Sequence, residues 1–517
     1  MFNTYLSFSD AAKFADVAKN IVLGKGFGSD FTFFGGNIFN YLELKLFPVA
    51  GILPVTPFSI ALSYKIFGVN DFAVIAVSLF YFFLALVFVY LLSKNIFKSR
   101  LVGLLSTLAV GLNYDLIHYA INGASESPLV FETVAAAYFI SIKNKWGTVV
   151  VAALFVMMYF TRPQAFIYIL GLILFWLLTN FRTKLALIYF GVVAIFALLL
   201  DYFVLDPLSG KYFLYSVIAR GGNSLTQYLP GQAVSDALRR PPISVATAEL
   251  IKKVFYNLYN FYKLMPQIVN PYLFTLFIVA LFRWGKNNLQ NAFKTTSLFI
   301  FMSALLVAAS SIPFFRYIHP VVPFIYIVAV GTLVELISNF PTPKFTSKRT
   351  FLAVASLFLI TVFSVGQTLG IIFLDSRFER NTHNIGKPPV YVMLSEALRE
   401  NTTPEQIIVT NLDTWGTWYG GRKTVWFPLE PKQIINPATG EIPFDAIYLT
   451  SYLIDDENYY MGAGWRLMFY DPGNPKKWAC DGCQKIAEEF ELKMVYEISS
   501  EESYQREGTR AVLFVKK

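Results

Sequence analysis

Residues 71–93, DFAVIAVSLFYFFLALVFVYLLS, decide the fold. After Asp71 no charge interrupts the run, and its apolar side chains follow neither the period of a half-buried strand nor that of an amphipathic helix. A helix rising 1.5 Å per residue needs about 20 such residues to cross roughly 30 Å of hydrocarbon. This stretch therefore predicts a membrane span. Further apolar runs at 101–121, 128–142, 147–160, 163–180, 184–205, 271–283, 295–312, 317–338 and 350–374 bring the candidate spans to ten, of which the third, fourth and seventh are short. The composition agrees: 55% of the 517 residues are hydrophobic and 15% charged, against about 25% charged in an average soluble domain.

Orientation follows from the positive charges, because short loops rich in Lys and Arg stay in the cytoplasm. Assigning alternate loops to the inside collects Lys94, Lys98 and Arg100; Lys143 and Lys145; Arg182 and Lys184; Arg283, Lys286 and Lys294; and Lys344, Lys348 and Arg349. The opposite loops are nearly bare, with single arginines at Arg162 and Arg316. The N-terminal segment, the 206–270 loop and the tail are thus expected outside the cytoplasm. Residues 1–57 carry Lys13, Lys19, Lys25 and Lys45 with no apolar run before them, so a first span is expected to be missing from the N-terminus. The formal charge of +9 forms no basic stripe, which argues against nucleic acid. Cys480 and Cys483 have no second Cys pair or nearby His to complete a zinc site, and read as a local disulfide or two plain thiols. His118, His319 and His383 offer no convergent ligand set. His319 reads as packed or hydrogen-bonded.

Residues 1–67 read as two amphipathic helices on the membrane surface joined by a glycine-rich flexible loop. Asp10, Phe14, Val17 and Ile21 share one helical face, which puts Asp10 at or near an N-cap. Glycines and prolines punctuate 206–270 before a helical stretch at 244–265. Beyond 375 charges return, with strand-like runs at 407–410, 446–450, 494–498 and 511–515 and helical patterns at 389–400 and 484–491. The expected architecture is a polytopic α-helical membrane domain (1–374) followed by a small α/β domain (375–517).

Several motifs resemble the GT-C superfamily of membrane glycosyltransferases, in the branch of protein mannosyltransferases and lipid A aminoarabinose transferase. They are Ser9-Asp10-Ala11-Ala12-Lys13-Phe14 with Gly24-Lys25-Gly26-Phe27, Pro54-Val55-Thr56-Pro57 leading to Phe67-Gly68, and Ser125-Glu126-Ser127-Pro128. Thr161-Arg162-Pro163-Gln164, Arg316-Tyr317 with Pro320 and Pro323, and Trp418-Tyr419-Gly420-Gly421-Arg422 complete the set. Their order along the chain and their shared sidedness carry the likeness, since each motif alone is weak. Ala11 stands where family members often carry a second acid, which puts an acidic metal-binding pair in doubt.

The resemblance implies a GT-C-like fold and an enzyme of the plasma membrane that moves a sugar, with inversion, from a polyprenyl-phosphate donor to a lipid, glycan or protein acceptor outside the cytoplasm. On that reading Asp10 is the general base, assisted by Glu126, and Arg316 and Arg162 bind the donor phosphate. Planar guanidinium groups suit that task because they pair phosphate oxygens two at a time. No cofactor is required, and a divalent metal stays open. Plainer readings stand beside these: Asp10 or Glu126 as a helix cap, and both arginines as snorkelling side chains at helix ends. A lipid-linked glycan transporter and a non-catalytic descendant of the enzymes remain alternative functions. The transporter lacks support from repeated halves or from ionisable groups at mid-membrane.

Overall fold

The computed structural model describes residues 5–35, 37–49, 52–179, 183–205, 225, 247–283, 285, 287–342, 347–374, 388–452, 461–498 and 509–517. The N-terminal segment forms α1 (Ser9–Val22), β1 (Phe31–Phe33), α2 (Ile38–Tyr41) and α3 (Val55–Phe67). The apolar bundle follows with α4 (Asp71–Phe97), α5 (Arg100–Gly111), α6 (Tyr114–Ile121), α7 (Glu126–Ser141), α8 (Lys145–Thr161), α9 (Ala165–Thr179) and α10 (Thr183–Leu200). Its second part holds α11 (Thr247–Ile268), α12 (Pro271–Leu281), α13 (Asn288–Ser310), α14 (Val322–Ser338) and α15 (Lys348–Leu374).

Local sequence explains the helix boundaries. The Asn70 side chain accepts the Ala73 N–H (2.9 Å) and starts α4, while Lys98, at φ 52° in the left-handed region, ends it. Ser99 caps α5, and Asn113 caps α6 through the Leu116 N–H (3.0 Å), each satisfying a donor that the first helical turn leaves open. Asn270 does the same for α12, with Pro271 at the first helical position.

Among the described residues, four helices are long and apolar enough to cross a membrane: Asp71–Phe97, Asn288–Ser310, Phe315–Ser338 and Lys348–Gly366. The number rises to six if each bent pair counts as one span: α5 with α6, bent by 65°, and α11 with α12, bent by 112°. The protein is an integral membrane protein. The run expected to span at 101–121 is thus broken at Leu112–Asn113, where the Asn113 cap starts a new helix. The helical stretch expected at 244–265 is α11; the 206–246 part of that loop lies outside the described residues apart from Leu225. Within the bundle α4 packs along α7 and α5, α9 along α13, and α14 along α5 and α12. Gly171 lets α9 approach Ile300 of α13 more closely than any side chain would allow.

The tail adds α16 (Val390–Glu400), β2 (Ile407–Thr410), α17 (Trp415–Trp418), β3 (Lys423–Trp426), β4 (Ala446–Thr450), α18 (Ala463–Tyr470), α19 (Cys483–Glu489), β5 (Phe490–Ile498) and β6 (Thr509–Lys516). Its sheet runs β1-β3-β2-β4-β6-β5, parallel from β1 to β4 and antiparallel from β4 to β5. Cys480 and Cys483 are paired in a disulfide.

The sheet corrects the sequence reading in one respect. Its edge strand comes from residues 31–33, in register with Thr424–Trp426, so the segment between the two N-terminal helices is a structural element and not a loose connection. Phe31, Ile38 and Phe47 enter the core on one face of the sheet. Leu6, Ala11, Ala12 and Ala15 join Tyr391, Leu398, Ala446 and Leu513 in a second core that also takes in Ala73, Val74 and Val77 of α4. Helix α1 therefore sits between the bundle and the tail, with buried alanines where a surface helix would meet lipid.

Candidate active site

The site is assembled where α1, the tail and one end of the bundle meet. Asp10 lies in the first turn of α1, whose N-cap is Phe8 with no side-chain hydrogen bond. Asp10 is not a cap: its Oδ2 accepts a hydrogen bond from Arg316 Nη1 at 2.6 Å, bridging 306 positions of sequence. One turn further along α1, Lys13 Nζ stands 3.7 Å from Asp10 Oδ1 and 3.7 Å from Oδ1 of Asp413 in the tail. The ammonium also lies over the rings of Phe33 (4.7 Å) and Phe31 (5.4 Å) on β1. Burial pushes the Asp10 carboxyl up, but the charges of Arg316 and Lys13, the Arg316 hydrogen bond and the charge of Arg162 together outweigh it and hold Asp10 well below the usual carboxylate range.

Asp413 is one of the few non-glycine residues with positive φ, at 55°. A conformation of this kind costs energy and is kept where surrounding structure demands it. Here the demand is visible: Asp413 accepts the Thr414 N–H, and the Thr414 hydroxyl donates to the carbonyl of Ser9 (3.0 Å), immediately before Asp10.

Arg316 sits in a short 3-10 turn, Phe315–Tyr317, just before the prolines Pro320 and Pro323 lead into α14. The turn is fixed from behind. Tyr168 of α9 donates to the Tyr317 carbonyl (2.7 Å), and His319 is bound through one ring nitrogen to Asp115 (3.0 Å) and through the other to the Tyr119 hydroxyl (3.0 Å). Asp115 and Tyr119 are four residues apart on α6 and so share a face. The Arg316 guanidinium also stacks against Phe314 and Tyr317.

Arg162 follows the last residue of α8 and forms an ion pair with Glu126, the first residue of α7, while donating to the Ser125 hydroxyl at 2.9 Å. Both side chains are nearly closed off from solvent, at 9% and 1% exposure, which is incompatible with an arginine merely reaching for water. Next to Arg162, the Thr161 hydroxyl donates to the buried carboxyl of Glu132 (2.7 Å).

The four residues singled out in the sequence thus form two ion pairs, and the pairs act on each other: Arg162 lowers the Asp10 carboxyl, and Glu126 acts on Arg316. His319 is hydrogen-bonded, as expected, but its partners Asp115 and Tyr119, and the roles of Lys13 and Asp413, escaped the sequence reading. Lys13 had a signal, since it lies three positions from Asp10 on an expected helix; Asp413 lies inside the tail segment 411–428 that carries the resemblance, but nothing there singled it out. Among the described residues, no group of three or more His, Cys, Asp or Glu is placed to hold a metal ion. The arrangement offers a carboxylate able to accept a proton beside two guanidinium groups able to hold an anion, at one end of an apolar bundle.

Comparison with known proteins bears on the fold. Residues 50–205 match the family described as dolichyl-phosphate-mannose-protein mannosyltransferase. The crystal structure of ArnT from Cupriavidus metallidurans bound to undecaprenyl phosphate is similar over 99% of this chain and 94% of its own, with a TM-score of 0.58 at 10% identity. Its apo state gives 0.53 at the same coverage and identity. The apo oligosaccharyltransferase of Archaeoglobus fulgidus gives 0.50 at 11% identity, over 96% of this chain and 70% of its own. No curated protein matches the sequence. The fold is the one these solved structures share.

Proposed function

We propose that this protein is an inverting glycosyltransferase that moves a sugar from a polyprenyl-phosphate donor to an acceptor presented at the extracytoplasmic face of the plasma membrane. The observation that carries the reading is the meeting of Asp10 with Arg316, beside the Arg162–Glu126 pair, where the apolar bundle gives way to the sheet. A prenyl chain lies in hydrocarbon and its phosphate at the boundary, which is the level of these arginines. Negative charge develops on that phosphate as the glycosidic bond breaks, and fixed guanidinium groups stabilise it without reorganising. On the opposite side of the anomeric carbon the acceptor hydroxyl or amine loses a proton, which Asp10 receives; Glu126 keeps Arg162 in place. The scarcity of Lys and Arg in the short loops on the Asp10 side supports an extracytoplasmic site. ArnT, which shares the fold, was crystallised with undecaprenyl phosphate, and that supports a carrier of this chemical class. The acceptor is a lipid, a glycan or a protein.

The test is transfer by the purified chain in lipid nanodiscs, supplied with polyprenyl-phosphate sugars and read by mass spectrometry of the products. Transfer with inverted anomeric configuration is expected. A correctly inserted chain that transfers nothing from any such donor, while moving the lipid-linked sugar across the bilayer, would point to the transporter class.

A further inference from the structure

We infer that the Asp10–Arg316 ion pair is a latch opened by the donor: the donor phosphate takes Arg316 away from Asp10, and only then is Asp10 free to act on the acceptor. This inference rests on the proposed roles of the two residues. Its observation is geometric. In the structure the base and the phosphate ligand satisfy each other, with Arg316 Nη1 2.6 Å from Asp10 Oδ2, so neither is disposed for its task. A carboxylate held by a guanidinium and an ammonium is a weak proton acceptor, and a guanidinium already paired presents only part of its donor fork.

The two partners are not equally mobile. Arg316 is carried on a short turn tied down by Tyr168 and by His319 with Asp115 and Tyr119, and its guanidinium is stacked on two rings. The Asp10 side chain is about one-third open to solvent (32%) and has a second cation, Lys13, within 3.7 Å on its own helix. Exchange therefore moves the carboxylate and leaves the guanidinium where it is. A donor phosphodiester carries one negative charge, as the carboxylate does, but spreads it over two equivalent oxygens that match the guanidinium fork, whereas Asp10 engages it through one oxygen. Asp10, released from Arg316, keeps Lys13, whose charge is shared with Asp413 at 3.7 Å, and the weaker influence of Arg162. Lys13 thus limits how far the freed carboxylate swings, and Asp413, by sharing the ammonium, keeps it from silencing Asp10. The consequence is an ordered reaction in which donor precedes acceptor, and a base that stays quiet in an empty site. Departure of the polyprenyl phosphate lets the pair close again.

The test is the affinity of the full chain in nanodiscs for a polyprenyl phosphate, measured beside turnover. Asp10→Asn removes the competitor for Arg316 and is expected to tighten binding about five- to tenfold, as loss of a partly exposed but charge-assisted pair allows, while turnover collapses. Asp10→Ser is measured in parallel, so that a poorly folded variant does not decide the outcome. Asp413→Asn removes one negative charge from the same region without touching Arg316, and is expected to leave phosphate affinity within about twofold, since that charge lies beyond Lys13 and is screened. Unchanged or weaker binding in the folded Asp10 variants overturns the latch. Equal tightening in Asp413→Asn also overturns it, because the effect would then be general charge and not exchange. Tighter binding with turnover retained overturns the latch at a different point: Asp10 then competes for Arg316 but has no step to hold back, and it is not the base.

Discussion

Asp10 and Asp16 lie six residues apart on one helix, and their surroundings push them in opposite directions. Asp10 has cations around it and is held below the ordinary aspartate value of 3.8. Its folded-state stabilisation is therefore present above that value and is lost only as pH falls through the lower one. Comparing thermal unfolding of the unmodified chain with Asp10→Asn should show a difference that persists from pH 8 to pH 5 and closes only in stronger acid. In the same variant, removal of a general base is expected to cost roughly 10² to 10⁴ in turnover. Asp16 is buried, and burial, followed by the charge of Asp30, pushes it up to about 6 despite hydrogen bonds from Ser29 Oγ and the Asp30 N–H and the nearby charge of Lys19. Here the sign reverses: the folded state favours the protonated form, so stability is greatest below the unfolded value and falls as pH rises through about 6. Asp16→Asn keeps an acceptor for Ser29 and carries no charge. It should raise the melting temperature at pH 7 to 8, with a gain on the order of 2–3 kcal/mol that fades below pH 4. A variant less stable at pH 8 than the parent would show that the ionised carboxylate is needed there.

At the scale of elements, the joint between tail and bundle is built on the first residue of a membrane helix. The Asp71 carboxylate at the start of α4 accepts hydrogen bonds from Trp418 Nε1 and the Tyr419 hydroxyl, both at 2.7 Å, and Trp418 stacks on Tyr64 of α3. The Trp-Tyr-Gly-Gly-Arg motif thereby acquires two structural tasks. Its aromatic pair docks on Asp71, and its Arg422 donates to the carbonyls of Arg399, in the last turn of α16, and of Thr402, just past it. Asp71→Ala leaves two donors without their acceptor, a loss of about 1–3 kcal/mol. A lower melting temperature and faster proteolysis between tail and bundle are expected, with a smaller loss of turnover than in Asp10→Asn. Elements of this kind were legible in the sequence when they were long or regular. Strands β2 and β4 were readable end to end because Ile407–Thr410 and Ala446–Thr450 are continuous apolar runs bounded by polar residues. β1 and β3 were not, because three residues, Phe31–Phe33, and four, Lys423–Trp426, are too short to show a period. They are strands because partners distant in sequence pair with them.

The whole molecule shows what a linear reading resolves and what it does not. Apolar run length located the bundle helices, and charge asymmetry marked one end of them as the place to look for Asp10, Arg162 and Arg316. Neither signal carries distance, so the 2.6 Å contact between residues 10 and 316 became visible only in three dimensions. The same gap affects the expected boundary at residue 375. The tail was read as a unit because its composition changes there, yet the sheet takes its edge strand from Phe31–Phe33, one of its cores is closed by Ile38 and Phe47, and the other by Leu6, Ala11 and Ala15. Removing these partners exposes large apolar areas on both faces of the sheet, at roughly 25 cal/mol for each Å² returned to water. Residues 388–517 produced alone are therefore expected to aggregate or to bind hydrophobic dyes, whereas a fusion that restores residues 1–67 should give a more soluble product with a cooperative unfolding transition. A tail that folds alone with a sharp transition would mean that the N-terminal segment is only laid against a finished domain, and that Asp10 and Lys13 are positioned by the bundle without help from the sheet.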